Sequence, residues 1–348
     1  MPGLFDGFCT EFDTRLFSSD LSDAFQTGDT IVIRYIGSIY YKSIQPYDFT
    51  TVVNTERYKN RPKFFLMYGG NMNNQDIKID LGTVQETLML PLWARARETE
   101  KDNPIVCDTY AKNIVERIDY DFSQIEEGPV ADHQGVWAIR AYNFDNIVKV
   151  FLANNSRAVV VNIGAGLDTT FQRVDEGDVL WINIDLPDVV ALRQKLIPDS
   201  EREMTIAKSV FDFTWIDDIS RWTKGHSILF TAAGVLCYFE AQEVEILFRK
   251  LAETYPSSHV IFDSMSWFTA WGSNREIMKN SGMDSSTLIK WHLKRASDLR
   301  KWVDTIKVVE EYPMLSRVPV RNDFSKMEIW KIKIVGLFRL YNMIHVQL

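Results

Sequence analysis

The segment "VVVNIGAGLDTTFQRV", residues 159–174, decides the fold of this chain. It begins with apolar, β-branched residues, which are typical of a buried strand. Gly164, Ala165 and Gly166 then lead into a polar stretch with helical character. A glycine-containing turn between a strand and a helix is a common place for a nucleotide, because a residue without a Cβ lets the backbone approach the ligand closely. The segment therefore predicts a nucleotide-binding loop.

The residues after the glycines narrow down the ligand. A dinucleotide fingerprint needs a third glycine at position 169, where this chain has Thr169, and Asp168 stands directly before it. A pyrophosphate at the amino terminus of a helix is disfavoured by a neighbouring carboxylate. The loop is therefore a poor site for a diphosphate and favours a nucleoside ligand without phosphates.

Two acidic residues follow the loop at the ends of the next predicted strands. Asp185 ends "VLWINIDLP" and lies 21 residues after Gly164, so its carboxylate can accept hydrogen bonds from both ribose hydroxyls. Asp212, in "SVFDFTWID", is placed to accept from an adenine amino group, with Phe211 or Phe213 packing on the adenine ring. The alternative for each carboxylate is a helix N-cap or a solvated loop acid. The order of the glycine loop and the acids at successive strand ends favours a ligand-binding role over that alternative.

The wider pattern predicts an α/β fold with a doubly wound, mostly parallel sheet. We expect strands at 158–163, 179–184, 204–207, 227–232 and 259–263, and helices at 189–195 and 241–254. Three further helices are expected in "TVQETLMLPLWARARETEKD", "PIVCDTYAKNIVERI" and "GVWAIRAYNFDNIVKVFLAN". The terminal "MEIWKIKIVGLFRLYNMIHVQL" predicts antiparallel closing strands that turn near Gly336.

This pattern divides the chain into three parts. Residues 1–80 form an amino-terminal extension with strand-like segments such as "DTIVIRYIGSIYY" and no assigned role, and "YGGNMNNQD" at 68–76 is a plausible boundary. Residues 81–157 form a helical cap, and residues 158–348 form the nucleoside-binding domain.

Composition excludes several classes of function. The chain has 348 residues, 46% of them hydrophobic, and a net charge of −8, which argues against a general nucleic-acid binder. Its three cysteines lie far apart without metal-ligand spacing, so we expect neither a disulfide framework nor a metal site. The sequence contains no run of about 18 uncharged apolar residues, so we expect no membrane span. The amino-terminal residues lack the pattern of a secretory signal, and we expect a cytoplasmic protein.

From about residue 83 onward, the chain resembles the leucine carboxyl methyltransferase family, which includes tetracenomycin-type polyketide carboxyl methyltransferases. The resemblance rests on "ETLMLPLWARARET", "DYDF", "IRAYNFD", "VVNIGAGLDTTFQRV", "WINIDLP", "SVFDFTWID", "GVLCYF" and "MIHVQL", in this order. It implies a class I methyltransferase fold, Rossmann-like with seven strands, and S-adenosylmethionine as the cofactor.

The resemblance also implies a role for individual residues. Gly164, Ala165 and Gly166 would line the methionine moiety, Asp185 would bind the ribose, and Asp212 with Phe213 would bind the adenine. Arg140 in "IRAYNFD" matches an arginine that pairs with the methionine carboxylate, a role that suits a planar, bidentate cation. Arg95 matches an arginine near the pocket, and the alternative for it is a surface charge on a helix. Tyr238 would face the acceptor, and the alternative for it is an aromatic residue of the core.

The chain departs from the family at the end of the fourth strand. The resemblance implies a glutamate directly before "GVL" or its equivalent, as relatives usually have there, whereas this chain has Ala233. The missing carboxylate puts donor affinity, activity or substrate class in question. Thr170 stands where many relatives have arginine, but the leucine-specific branch also carries threonine.

The leading hypothesis is an S-adenosylmethionine-dependent O-methyltransferase that acts on a carboxylate of a small molecule or of a peptide or protein C-terminus. An ionised carboxylate needs no general base, so catalysis reduces to alignment and exclusion of water. A phenolic acceptor would need a base, for which His133 is the candidate. Two alternatives remain, a methyltransferase-like binding or scaffold protein that has lost catalysis and a nicotinamide dehydrogenase. The oligomeric state is left open.

Overall fold

The computed structural model describes residues 23–27, 30–35, 49–54, 65–67, 77–78, 86–127, 134–279, 288–319 and 336–348. The chain divides into two compact units, Met1–Gln75 and Asp76–Leu348. The roles given above to the extension, the helical cap and the binding domain stay predictions.

The first unit contains a four-stranded antiparallel sheet. Its strands follow one another in the order β1 (Asp23–Thr27), β2 (Thr30–Tyr35), β3 (Phe49–Asn54) and β4 (Phe65–Met67). Strand β2 lies within the predicted segment "DTIVIRYIGSIYY", whose remaining residues, 29 and 36–41, lie outside the described ones.

The first part of the second unit is mainly helical and contains the predicted helices. Its first elements are β5 (Ile77–Lys78), α1 (Glu86–Thr99), α2 (Thr109–Arg117), β6 (Ile118–Asp119), α3 (Ser123–Glu126) and α4 (Gln134–Asn154). Helices α1, α2 and α4 are the three that the sequence predicts. The apolar faces of α1 and α2, with Met89, Leu92 and Ile114, share a core cluster with Leu167 and Leu192 further along the chain.

Strands and helices alternate through the rest of the unit, as predicted. The elements are β7 (Ala158–Ile163), α5 (Thr170–Val174), β8 (Leu180–Asp185), α6 (Pro187–Leu196), β9 (Glu203–Ala207), α7 (Trp215–Thr223), β10 (Ser227–Ala232), α8 (Ala241–Thr254), β11 (His259–Met265), α9 (Trp267–Lys279), β12 (Lys307–Pro313) and β13 (Tyr341–Gln347). Strands β7 to β13 form one seven-stranded sheet in the order β12-β13-β11-β10-β7-β8-β9. The fold class inferred from the sequence is therefore confirmed.

Both faces of this sheet are covered by core. Alternate residues of β7 point to opposite faces, so Val159 and Val161 join one buried cluster while Ala158 and Val160 join another. Burial on both faces explains why this strand is a continuous apolar run in the sequence. Among the described residues, no helix is both long enough and apolar enough to cross a membrane.

The carboxyl end differs from the expected hairpin. Strand β13 pairs antiparallel with β11 on one side and with β12 on the other. Both edges of β13 are thus occupied, and its neighbour on the outer side is β12, Lys307–Pro313. The expected first arm, at 327–335, lies outside the described residues. The antiparallel closing pair is present, with a partner that the sequence analysis did not predict.

The order of the strands identifies the place for a ligand. The chain runs outward from β7 to β8 and β9, then returns to place β10 on the other side of β7. A reversal of this kind opens a crevice at the carboxyl ends of the two strands on either side of it. The segment after β7 and the segment after β10 line that crevice.

Candidate functional site

Two glycines of the loop after β7 have backbone conformations that favour glycine. Gly164 has φ +63° and Gly166 has φ +47°, both in the left-handed region. A Cβ on Gly164 would lie 2.5 Å from Cγ2 of Val235, and one on Gly166 would lie 2.7 Å from Cδ2 of Leu88. The loop therefore needs glycine at both positions, for backbone conformation and for close packing.

Two buried arginines hold the carbonyl groups of this loop. Arg193 donates to the carbonyl oxygens of Gly166 at 3.0 Å and Asp168 at 2.7 Å. Arg95 donates to the carbonyl oxygen of Leu167 at 2.9 Å. Because both arginines are almost fully buried, these three carbonyl groups point into the protein. The loop is thus fixed from its interior side.

Arg95 lies beside the loop, in a different setting from a free surface charge. Its Nε forms an ion pair with Asp108 at 2.8 Å, and its Nη1 donates to the carbonyl oxygen of Pro91 at 3.1 Å. With the bond to Leu167, all three guanidinium nitrogens have partners inside the protein. The geometry gives Arg95 a supporting role for the loop, and direct contact with a ligand stays a prediction.

Arg173 links the loop to the helical cap. Its Nε and Nη2 donate to the two carboxylate oxygens of Asp145 on α4, both at 2.8 Å. Its Nη1 donates to Asp108 and to the hydroxyl of Thr169, both at 2.7 Å. Burial raises the pKa of Asp145 despite this contact, whereas for Asp108 the charges of Arg173 and Arg95 outweigh burial and lower the pKa.

These arginine contacts are absent from the sequence analysis. Arg173 belongs to the quoted loop segment and stands four residues after Thr169, so the two share one side of α5. This spacing of four residues is the feature of the sequence that indicates contact between Arg173 and the loop. Its acidic partners are 28 and 65 residues away in sequence, and no local pattern identifies them.

Asp185 ends β8 directly beside the loop, as the sequence predicts. Its Oδ2 accepts from the backbone N–H of Gly166 at 2.6 Å, and its Oδ1 accepts from that of Leu186 at 2.7 Å. Burial raises the pKa of this carboxyl group. Each oxygen retains a further lone pair, so the group can accept additional hydrogen bonds from a ligand. Its contact with a ribose stays a prediction.

Asp212 lies in the turn that precedes α7 and is exposed. Its Oδ1 accepts from the hydroxyl of Thr214 at 2.7 Å and from its backbone N–H at 3.2 Å. These bonds lower the pKa of Asp212. Oδ1 of Asp212 thus acts within its own loop, as expected for the alternative of a solvated loop acid. Contact of Oδ2 with an adenine stays a prediction.

The two aromatic residues around Asp212 are half-buried. Phe211 and Phe213 both pack against the larger core cluster. The ring of Phe211 also meets that of Phe239 edge-on, with 4.7 Å between their centroids. Each ring retains exposed surface that an adenine can contact.

The carboxylate of Asp168 occupies the start of α5. Its Oδ1 accepts from the hydroxyl of Thr170 at 2.9 Å, and its Oδ2 accepts from Nδ2 of Asn162 at 3.1 Å. A phosphate at this helix terminus would meet a carboxylate that is already engaged there. The geometry agrees with the inference that the loop suits a ligand without phosphates.

A second cluster lies at the ends of β10 and β11. Arg140 on α4 has its Nη1 3.6 Å from Oδ2 of Asp263, and it makes no hydrogen bond with the described part of the chain. The Oδ1 of Asp263 accepts from the backbone N–H of Gly234 at 2.5 Å. Gly234 has φ +68°, and a Cβ there would lie 2.3 Å from Nη1 of Arg140. The glycine is therefore needed both for the turn and for the guanidinium beside it.

Ala233 and Tyr238 belong to the same end of β10. Ala233 follows the strand directly and packs against one of the buried clusters of the sheet. Tyr238 ends a short 3₁₀ turn, Leu236–Tyr238. Burial raises the pKa of Tyr238, and it raises the pKa of the Cys237 thiol to about 12. Both groups are thus protonated at neutral pH.

The sheet brings the predicted residues to one edge, at the carboxyl ends of neighbouring strands. Residues 164–166 follow β7, Asp185 ends β8, Asp212 follows β9, and residues 233–238 follow β10. Asp263, near the end of β11, is a charged member of this edge that the sequence analysis missed. The candidate base His133 lies outside the described residues.

Comparisons with known proteins give one family. Residues 89–252 match the family model described as leucine carboxyl methyltransferase. The chain is 29% identical over 254 residues to the tetracenomycin polyketide synthesis O-methyltransferase TcmP of Streptomyces glaucescens, which covers 72% of this chain and 90% of that protein. It is 26% identical over 270 residues to the S-adenosyl-L-methionine-dependent methyltransferase dpfgK of Gibberella zeae, covering 72% and 87%.

Solved structures with a similar arrangement share little sequence with this chain. A duf574 family protein from Streptomyces avermitilis aligns with a TM-score of 0.46 at 13% identity, covering 75% of this chain and 96% of that one. The magnesium protoporphyrin IX methyltransferase of Synechocystis, solved with bound SAH, aligns with a TM-score of 0.39 at 10% identity, covering 69% and 93%.

Proposed function

Because residues 89–252 of this chain match the leucine carboxyl methyltransferase family model, we propose that it methylates a carboxylate. The protein is an S-adenosylmethionine-dependent O-methyltransferase, and we infer the chemical class of its methyl acceptor. We propose a small apolar carboxylic acid as that acceptor, with a peptide C-terminus as the alternative. We also propose a cytoplasmic location.

The described residues fit the cofactor. S-adenosylmethionine supplies a methyl group that is already activated by a positively charged sulfur. We assign the loop glycines to close approach of the backbone, Asp185 to the ribose hydroxyls, and Asp212 with Phe213 to the adenine. Arg140 suits the methionine carboxylate, because its guanidinium makes no hydrogen bond with the described residues and a carboxylate is its best partner.

One observation favours a carboxylate as the acceptor. Tyr238 and Cys237, the titratable groups of the turn after β10, have pKa values raised by burial, so neither can accept a proton at neutral pH. A carboxylic acid is ionised at neutral pH and attacks without a base, whereas a phenol first has to lose its proton. In the reaction one carboxylate oxygen forms the new O–CH₃ bond while the carbon–sulfur bond breaks, and the thioether leaves. The protein then needs only to align the two reactants and exclude water.

A cavity near Arg140 suits the apolar part of such an acid. It has a volume of about 320 Å³ and is lined by Val136, Phe268, Thr269, Gly272, Leu315, Leu340 and Tyr341. Val136 stands four residues before Arg140 on α4, so both lie on one face of that helix. Tyr341 pairs with Met265 at the end of β11, which places the cavity at the carboxyl edge of the sheet. An apolar cavity of about 150 Å³ holds one benzene ring, so this one has room for two fused rings.

The test is transfer of labelled methyl groups to matched acceptors. Purified protein is incubated with methyl-labelled S-adenosylmethionine and with 2-naphthoic acid, 2-naphthol, octanoic acid or a peptide that ends in leucine. Mild alkali then releases volatile methanol from a methyl ester but not from an ether. We expect alkali-labile label with the acids and none with 2-naphthol.

Substitution of Gly272 by leucine tests the cavity in the same assay. No atom of the described residues lies within 4 Å of a Cβ built at this position, so the larger side chain has room to enter. We expect weaker use of 2-naphthoic acid with unchanged donor binding. Alkali-stable label on 2-naphthol alone would contradict the carboxylate acceptor, and donor binding without transfer to any acid would favour the scaffold alternative.

A further inference from the structure

The cluster of Arg140, Asp263 and Gly234 directly adjoins the glycine loop. A Cβ on Gly164 would touch Val235, and the residue before that valine, Gly234, has its backbone N–H held by Asp263. The loop, the turn after β10 and the end of β11 are therefore continuous through direct contacts. A ligand that lies along the loop ends beside this cluster.

The two charges of the cluster keep unused hydrogen-bonding capacity. Arg140 and Asp263 lie 3.6 Å apart, which is longer than a hydrogen bond between charged groups, and their side chains are 17% and 12% exposed. The buried arginines Arg173 and Arg193 differ, because each makes direct bonds of 2.7–2.8 Å to carboxylates. Within the described residues, Arg140 and Oδ2 of Asp263 are thus a cation and an anion that both remain able to bind a ligand.

Such a pair complements an amino acid, which carries a carboxylate and an ammonium group on the same carbon atom. Resting on the proposed function, in which Arg140 takes the carboxylate of the donor, we propose that Asp263 accepts a hydrogen bond from the α-ammonium group of the donor. The carboxylate that binds the ammonium group then comes from β11.

The register of the sheet explains why this carboxylate stands in the right place. The last pair between β10 and β11 is Ala232 with Phe262, so the next residues, Ala233 and Asp263, follow on neighbouring strands. Ala233 offers only a methyl group. Asp263 brings a carboxylate to the same end of the sheet.

The test compares two ligands that differ in one group. Calorimetry measures binding of S-adenosylhomocysteine and of an analogue in which hydrogen replaces the α-amino group, to wild type and to Asp263→Asn. Asparagine retains an oxygen for the N–H of Gly234 and replaces Oδ2 with an uncharged NH2 group, which cannot accept from an ammonium group. We expect Asp263→Asn to bind S-adenosylhomocysteine roughly 10-fold or more weakly and the deaminated analogue within about 2-fold of wild type, because a hydrogen bond between charged groups is lost with the first ligand only.

Two further variants separate a binding role from a structural one. Asp304→Asn removes an exposed acid elsewhere and is expected to leave both affinities unchanged. Ala233→Glu in the Asp263→Asn background is expected to restore binding of S-adenosylhomocysteine, because it returns a carboxylate to the neighbouring strand end. Equal weakening of both ligands by Asp263→Asn would overturn the proposal and leave the proposed function intact. Failure of wild type to bind S-adenosylhomocysteine would overturn both.

Discussion

Replacement of Gly164 by alanine tests the geometry of the loop most sharply. The new residue has to keep φ +63°, and its Cβ lies 2.5 Å and 2.7 Å from the two methyl groups of Val235. The left-handed conformation costs a residue with a Cβ about 1–2 kcal/mol. Overpacking in a dense interior costs about 1–3 kcal/mol more. We therefore expect the free energy of unfolding of Gly164→Ala to fall by about 2–5 kcal/mol.

Urea denaturation measures this loss, and two further variants divide it into its causes. Gly225→Ala is the matched control, since Gly225 has φ +78° and no atom of the described residues lies within 4 Å of a Cβ there, so it reports backbone strain alone. Adding Val235→Ala to Gly164→Ala removes the steric part, and a double-mutant cycle isolates that coupling. A loss of stability in Gly164→Ala no larger than that in Gly225→Ala, or a cycle without coupling to Val235, would contradict this explanation.

Four further predictions concern the charged groups. Asp185→Ala is expected to weaken binding of S-adenosylmethionine by roughly 2–3 kcal/mol, because it removes an acceptor for two hydroxyls, and an unchanged affinity in calorimetry would rule out its role. Arg140→Lys is expected to weaken donor binding through loss of bidentate geometry, and the assignment fails when wild type binds the donor and a decarboxylated analogue equally well. Arg173→Met is expected to lower the free energy of unfolding by about 3–5 kcal/mol in urea, since it leaves the buried carboxylate of Asp145 without its cation; a loss under 1 kcal/mol would contradict this. His345 contacts the histidine at the start of β11 at 2.8 Å, and burial lowers its pKa to about 4, below the value of about 6.5 in the unfolded chain. The unfolded chain binds the proton more readily, so His345 lowers the free energy of unfolding as pH falls from about 6.5 to 4, by up to about 3 kcal/mol. In urea denaturation, His345→Asn is therefore expected to show a smaller dependence of this free energy on pH over that range.

The sheet was predictable because its central strands are buried on both faces. Ala158–Ile163 and Ser227–Ala232 have the bounds that the apolar runs predict, and Leu180–Asp185 is displaced by one residue. Helix Ala241–Thr254 also matches, with Glu240 and Glu243 forming a capping box at its start. Strand β12 was missed because Lys307–Pro313 is charged and lies at the edge of the sheet, where burial leaves a weak pattern in the sequence.

The position of a site candidate was predictable where the residue ends a strand or lies in the loop after it. Asp185 and Asp212 could be placed at the carboxyl edge from strand spacing alone, because parallel strands end at one edge of the sheet, and their ligand contacts stay predictions. The contacts of Arg95, Arg173 and Arg193 could not, because a charged residue on an amphipathic helix has the same pattern whether its charge meets solvent or a buried carboxylate. Only the fold brings their partners into reach.

We expect the crevice at the carboxyl edge of the sheet to bind the adenosine of a methyl donor. Calorimetric titration of the wild-type protein with S-adenosylhomocysteine and, separately, with NAD is the decisive measurement. We expect saturable binding of one S-adenosylhomocysteine per chain and no binding of NAD, since Asp168 and Thr169 disfavour a pyrophosphate at the loop. Binding of NAD with equal or greater affinity, or no heat with S-adenosylhomocysteine, would contradict it.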